Sequence, residues 1–232
     1  VRANPLISIG EPVPGYLDVE ASPVDLERLG VSVVQVEVEE LNESFSGIGI
    51  EDLRVGCEQA VEGCDATALD PKVLERSAQL ALAIEQLCNK HNALGGAVNC
   101  HGPALRFNPA IGITACLAVT EMAKVNRLFA CTGDLPAGIA LILGKAVAGS
   151  ALYCELYQLD LTSDWLLVAN GGEGDRSIAD PRLPIRLTPE DHYMGDHGPG
   201  VAVAFNIAQG PATLTSLSPV PSAKGGWALI VA

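Results

Sequence analysis

Asp134 and Glu155 bracket one apolar unit, LFACTGDLPAGIALILGKAVAGSALYCELYQLD from Leu128 to Asp160, which reads as strand end, tight turn, helix and second strand. Two carboxylates meeting across such a unit can hold a cation or move a proton. Glu155 stands in mid-strand, in ALYCELYQLDL, where a carboxylate is costly unless it is paired, solvated or bound to a metal. Asp134 opens the helix, and an N-cap alone already accounts for an aspartate there. Asn99, His101 and Arg106 form a second polar group, in a loop that follows the short apolar strand AVNC. A third lies in EDHYMGDHGPG, where His192 and His197 stand beside Asp191 and Asp196. Oxygen donors with an imidazole suit a divalent ion such as Mn²⁺ or Mg²⁺. The chain carries no Walker loop, GxSxG, HExxH or GxGxxG, which removes most common enzyme classes.

The elements that must position these groups alternate. A short strand at Leu6–Ile9 is followed by Ser22-Pro23, an N-cap with proline at the first helical position, and a helix stopped by Gly30. The β-branched run Val31–Val38 reads as the next strand, and Leu41–Gly63 as mostly helical. Asp70-Pro71 opens the longest helix, Lys72 to about Asn89, with an apolar stripe at Val73, Leu74, Ala78, Leu80, Ala81, Ile84 and Leu87. Strand Ala97–Cys100, helix Gly112–Lys124, strand Leu128–Cys131 and helix Leu135–Ala148 continue the rhythm. The expected fold class is α/β: an open, doubly wound, mostly parallel sheet over residues 1–149. Residues 150–232 are expected to form a smaller strand-rich domain, antiparallel and barrel-like, from runs at Ala151–Leu159, Trp165–Ala169, Gly200–Ile207, Ala212–Leu217 and Trp227–Val231. In an open α/β sheet, ligands bind beyond the carboxyl ends of the strands. Asn99–Gly102, Thr132–Asp134 and Glu155 all stand at such ends.

Composition narrows the partners. The 232 residues, 48% of them apolar, suffice for a sizeable core. Fourteen basic against 28 acidic residues give a net charge of −14, a surface that repels phosphate backbones and anionic lipid. Neither nucleic acid nor membrane is expected as a partner. Seven cysteines without CxxC spacing read as reduced thiols in a cytoplasmic protein. The chain opens at Val1 without methionine and ends in WALIVA, a strand-like run, so both ends read as cut from a longer polypeptide.

The blocks NCHG…GITACLAVTEM, ACTGDLPAGIALILGKAVAGSALYCELYQLD, VANGGEGD and GVAVAFNIAQGPATLTSL resemble the L-fucose isomerase / L-arabinose isomerase superfamily. The opening SIGEPVPGYLDV with LERLGVSVVQVEVEEL is similar to the start of that family's middle domain, so the resemblance spans nearly the whole chain. It implies a metal-dependent aldose–ketose isomerase working through an enediol, with a small-molecule sugar as substrate. A divalent cation, Mn²⁺ in the first instance, would sit on Glu155 and a histidine, either His197 or His192. Glu155 and Asp134 would be the catalytic acids, and Asn99, His101 and Arg106 would contact the sugar. The family builds its active sites between subunits, which implies a homo-oligomer. At the family's first ligand position, in the block ACTGD, this chain has Thr132, a neutral hydroxyl that binds metal weakly and cannot act as the base. The alternative is a non-catalytic sugar-binding or structural homologue, or a fragment of one, that has lost this ligand.

Overall fold

The computed structural model describes residues 4–13, 15, 16, 19, 21–190, 199–220 and 226–232. The first part of the chain runs β1 (Leu6–Ile9), α1 (Pro23–Leu29), β2 (Val33–Val36), α2 (Val38–Ser46), α3 (Ile50–Val61), β3 (Cys64–Asp65), α4 (Pro71–His91) and β4 (Gly95–Val98). It continues with α5 (Cys116–Lys124), β5 (Leu128–Ala130) and α6 (Leu135–Ala148). Strands then take over: β6 (Glu155–Asp160), β7 (Trp165–Ala169), β8 (Ile185–Pro189), β9 (Val201–Ala204), β10 (Thr215–Val220) and β11 (Gly226–Val231). A 3₁₀ turn at Arg176–Ile178 lies between β7 and β8.

Four parallel strands make the central sheet, in the order β2-β1-β4-β5. The pleat sends alternate residues of β1 to opposite faces. Ile7 and Ile9 pack with Leu41 of α2, Leu80 and Ile84 of α4, and Phe129, whereas Leu6 packs with Leu26 of α1 and Ile139 of α6. Helices thus cover both faces, and the expected doubly wound α/β sheet is what the chain forms. Strand order reverses between β1 and β4, the place where a doubly wound sheet opens a crevice at its carboxyl edge.

Local chemistry accounts for the helix limits. Ser22 Oγ accepts from Asp25 N at 3.1 Å ahead of Pro23, and Gly30 ends α1 in the left-handed conformation (φ 72°). Asp70 Oδ1 accepts from Lys72 N at 2.8 Å, and α4 then buries Ala78, Leu80, Ala81, Ile84, Leu87 and Cys88 on one stripe. Each fully buried leucine or isoleucine there is worth roughly 2 kcal/mol. Helix α6 sits unusually close to the sheet. A Cβ on Gly138 would stand 2.5 Å from the carbonyl oxygen of Gly96, so only glycine allows the helix to approach β4 this closely.

Some limits differ from the sequence pattern. The run Val31–Val38 yields strand only at Val33–Val36, because Val38 already begins α2. The strand expected from Ala151 starts at Glu155. Strands β3 and β8 were not expected. They pair in parallel, β9 joins β8 antiparallel, and this small sheet packs Leu187, Val201 and Val203 against Ala60 and Leu117. The remaining strands form two antiparallel ribbons, β6-β7 and β10-β11. Strand β10 packs on α6, and Trp227 Nε1 of β11 donates to Asp25 O at 2.9 Å. The β6-β7 ribbon leaves Leu156, Leu159, Leu161, Trp165, Leu166 and Leu167 exposed. Among the described residues, no helix is long and apolar enough to cross a membrane.

Candidate functional site

Three loops converge beyond the carboxyl ends of β1, β4 and β5. Asn99 N donates to Ile9 O at 2.8 Å, and Gly133 N donates to Val98 O at 3.2 Å. The Asn99 side chain joins the loops: its amide donates to Glu11 O, and its Oδ1 accepts from His101 N at 2.9 Å. Asn99 is only 3% exposed, so it acts as a brace between backbone segments. Arg106 is also interior, at 5% exposure, with its charge within electrostatic reach of Cys100 and His101.

This brace sets Cys100 and His101 beside Cys131, the first residue after β5. One ligating atom from each, two sulfurs and an imidazole nitrogen, all lie within 4.8 Å of one another. Cys100 is brought down to about 7: the Cys131 thiol donates to it against the cost of burial, and the Ala115 N–H and the Arg106 charge assist. Cys131, as that donor, is held well above its ordinary value. Burial and the Arg106 charge lower His101, keeping its imidazole neutral at pH 7. All seven cysteines are free thiols.

The loop after β7, Asn170–Arg176, brings in an acid that sequence reasoning did not single out. Asn170 Oδ1 accepts from Gly172 N and Glu173 N, each at 2.9 Å, and Gly174 N donates to Thr120 Oγ1 of α5 at 3.1 Å. Asp175 pairs with Lys145 of α6 at 2.6 Å and caps the 3₁₀ turn through Ser177 N. Arg176 pairs with Glu121 of α5 and donates to Cys64 Sγ. Fixed in this way, Glu173 is 4% exposed, and neither carboxylate oxygen has a hydrogen-bond partner of normal geometry among the described residues. Burial lifts it to about 8, the neighbouring Cys100 and Glu155 add to the rise, and the nearby Asn170 amide offsets part of it. In turn, Glu173 helps hold Cys116 and Cys131 in their thiol forms. Behind it lies a cavity of about 10 Å³, bounded also by Tyr153, Phe129 and Leu141, with room for about one water.

Asp134 caps α6, its Oδ1 accepting from Ala137 N at 2.8 Å. Glu155, the first residue of β6, is exposed. Both acids lie within electrostatic reach of Tyr153, whose phenol is raised mainly by burial. The nearby Thr132 side chain offsets part of that rise. Thr132 occupies a left-handed backbone conformation (φ 56°), uncommon for a β-branched residue, with its hydroxyl on the Cys131 carbonyl at 2.8 Å. His192 and His197 lie outside the described residues.

A Mn²⁺ site calls for gathered oxygen donors. Among the described residues, the one group of three or more potential ligands is Cys100, His101 and Cys131, which includes neither Glu155 nor Asp134. Without the two outlying histidines, the described residues do not assemble the oxygen-rich set. Compared with known proteins, the chain matches no protein-family model and no curated protein sequence.

Proposed function

We propose that this protein is a sugar aldose–ketose isomerase of the enediol type, with Glu173 moving the proton at the carboxyl edge of the sheet. The observation that carries this reading is a buried carboxyl with no hydrogen-bond partner of normal geometry among the described residues, fixed by its own loop within electrostatic reach of Cys100 and Cys131 at the strand ends. Isomerisation moves a proton from C2 of the aldose to C1 and a second from the C2 hydroxyl to the C1 oxygen; one carboxyl group can carry the carbon-bound proton, and the oxygens exchange theirs through water. A value lifted to about 8 suits it to both halves of that transfer near neutral pH. The cavity behind Glu173 admits a water and not a sugar, so the substrate would meet the acid from the side of Cys100 and Glu155, the charged neighbours that act on it. A second copy of the chain would complete the wall of the site, and free thiols fit a cytoplasmic setting. The divalent ion belonging to this reading is Mn²⁺, on Glu155 with His197 or His192. Calorimetry that finds no Mn²⁺ binding near millimolar concentration would remove it.

The direct assay is hydrogen exchange. Incubating a panel of aldoses with the protein in D₂O should place deuterium at the carbon next to the carbonyl, and Glu173→Gln should abolish the exchange. No exchange by the native chain, with or without Mn²⁺, or undiminished exchange by the variant, would overturn the assignment. A second reading, a non-catalytic sugar-binding homologue, is favoured by Thr132 alone. It predicts sugar binding without exchange.

A further inference from the structure

We propose that Cys100, His101 and Cys131 bind one thiophilic metal ion, Zn²⁺ before any other, in the crevice beyond β4 and β5. Their three ligating atoms already lie within 4.8 Å of one another. Tetrahedral zinc, with Zn–S about 2.3 Å and Zn–N about 2.0–2.1 Å, sets its donors about 3.5–3.8 Å apart. Movement of the donor atoms by about an ångström closes that gap. The placement is rigid for reasons independent of any metal. Cys131 leaves β5 beside β4, and the Asn99 brace accepts from the His101 backbone N–H.

Donor type sets the ion. Two sulfurs and an imidazole select zinc or another soft ion over Mn²⁺ and Mg²⁺, which take oxygen. A second and independent feature points the same way. The Glu173 carboxyl is buried, has no hydrogen-bond partner of normal geometry among the described residues, and lies within electrostatic reach of Cys100 and Cys131, so a cation bound there would relieve the cost of its ionisation. Three protein ligands leave zinc's fourth position open, the arrangement found where zinc meets a water or a substrate and not where it only staples a fold. Binding costs two protons: each thiol gives its proton to solvent as its sulfur bonds the ion, so affinity rises with pH. The site needs no sugar and stands or falls apart from the isomerase reading.

Cobalt(II) is the probe. Added to the reduced, metal-stripped full chain, it should bind one ion per chain with thiolate-to-metal charge-transfer bands and the visible bands of tetrahedral cobalt, and Zn²⁺ should displace it. Cys100→Ser and Cys131→Ser should each weaken Zn²⁺ binding by at least about 100-fold, and Cys57→Ser should leave it unchanged. If a site variant fails to fold, the native chain still decides. A folded native chain without thiolate–cobalt bands overturns the proposal, as do bands that persist in the double Cys100→Ser/Cys131→Ser variant. A Cys100–Cys131 disulfide that forms in air in the presence of excess Zn²⁺ overturns it as well. Cobalt bands without deuterium exchange into any aldose would sustain the metal site and sink only the isomerase reading.

Discussion

Glu173→Gln removes a buried ionisable group while keeping its shape, so it isolates what the charge costs. The carboxyl rises from its ordinary 4.5 to about 8 on folding, chiefly through burial. The folded chain therefore holds this proton more tightly than the unfolded chain. Between those two values the native state binds more protons, so stability falls as pH rises, and the loss is complete above about 8. At about 1.4 kcal/mol per pKa unit, the full penalty is roughly 5 kcal/mol. Glutamine carries no such penalty, but its amide enters a site with few partners, at about 1–3 kcal/mol. The two stability curves should therefore cross. Urea unfolding of metal-stripped protein from pH 5 to pH 9 should find the variant less stable at pH 5 and more stable at pH 9. Parallel curves would refute the reasoning, because the carboxyl would then be solvated or paired in the native state.

Lys145→Met strands the Asp175 carboxylate in the interior and should cost about 3–5 kcal/mol at pH 7 by chemical denaturation. Burial raises Asp175, but Lys145 and Ser177 more than offset it, so the group sits below its ordinary value. Its stabilisation is present at neutral pH and is lost as the folded group protonates, so the cost should shrink in acid. A cost independent of pH would argue against the ion pair. Gly138→Ala sets helix propensity, a gain of about 1 kcal/mol, against a Cβ 2.5 Å from the Gly96 carbonyl oxygen. Overpacking at about 1–3 kcal/mol should win and lower the melting temperature, and a higher one would contradict the close approach. Thr132→Asn places a residue tolerant of left-handed backbone where φ is 56°, and should gain about 0.5–1 kcal/mol in denaturant unfolding. A loss would mean that the threonine methyl or its hydroxyl contact with Cys131 outweighs the strain.

Much of the frame was legible because it is written locally. Caps at Ser22, Asp70 and Asp134, the stop at Gly30 and the stripe on α4 are each decided within a few residues. The doubly wound sheet follows from their alternation. Strands β3 and β8 escaped because neither shows a pattern of its own: Cys64 and Ile185 become strand only by meeting across the chain. The site escaped for the same reason. Glu173 sits among glycines in NGGEGD, and its burial depends on Thr120 and Lys145, which are remote in sequence. The resemblance marked that block without marking the acid. Cys100 and Cys131 share no metal-binding spacing, and only the adjacency of β4 and β5 brings them together. Asp134 was read both as cap and as catalytic acid, and its hydrogen bond to Ala137 N accounts for the cap.

The loop that carries Glu173 is anchored through every neighbour but that side chain. Asn170, Gly174, Asp175 and Arg176 make the bonds to α5, to α6 and within the loop itself. The carboxyl can therefore gain or lose a proton, or turn toward a ligand, without breaking a contact that holds the fold. Its charged form meets an apolar wall and few donors, so ionisation costs stability while the loop keeps its shape. Chemistry at this position is thus tied to folding through charge and not through contacts, and a neutral residue in place of Glu173 would alter what the crevice does while leaving the loop anchored.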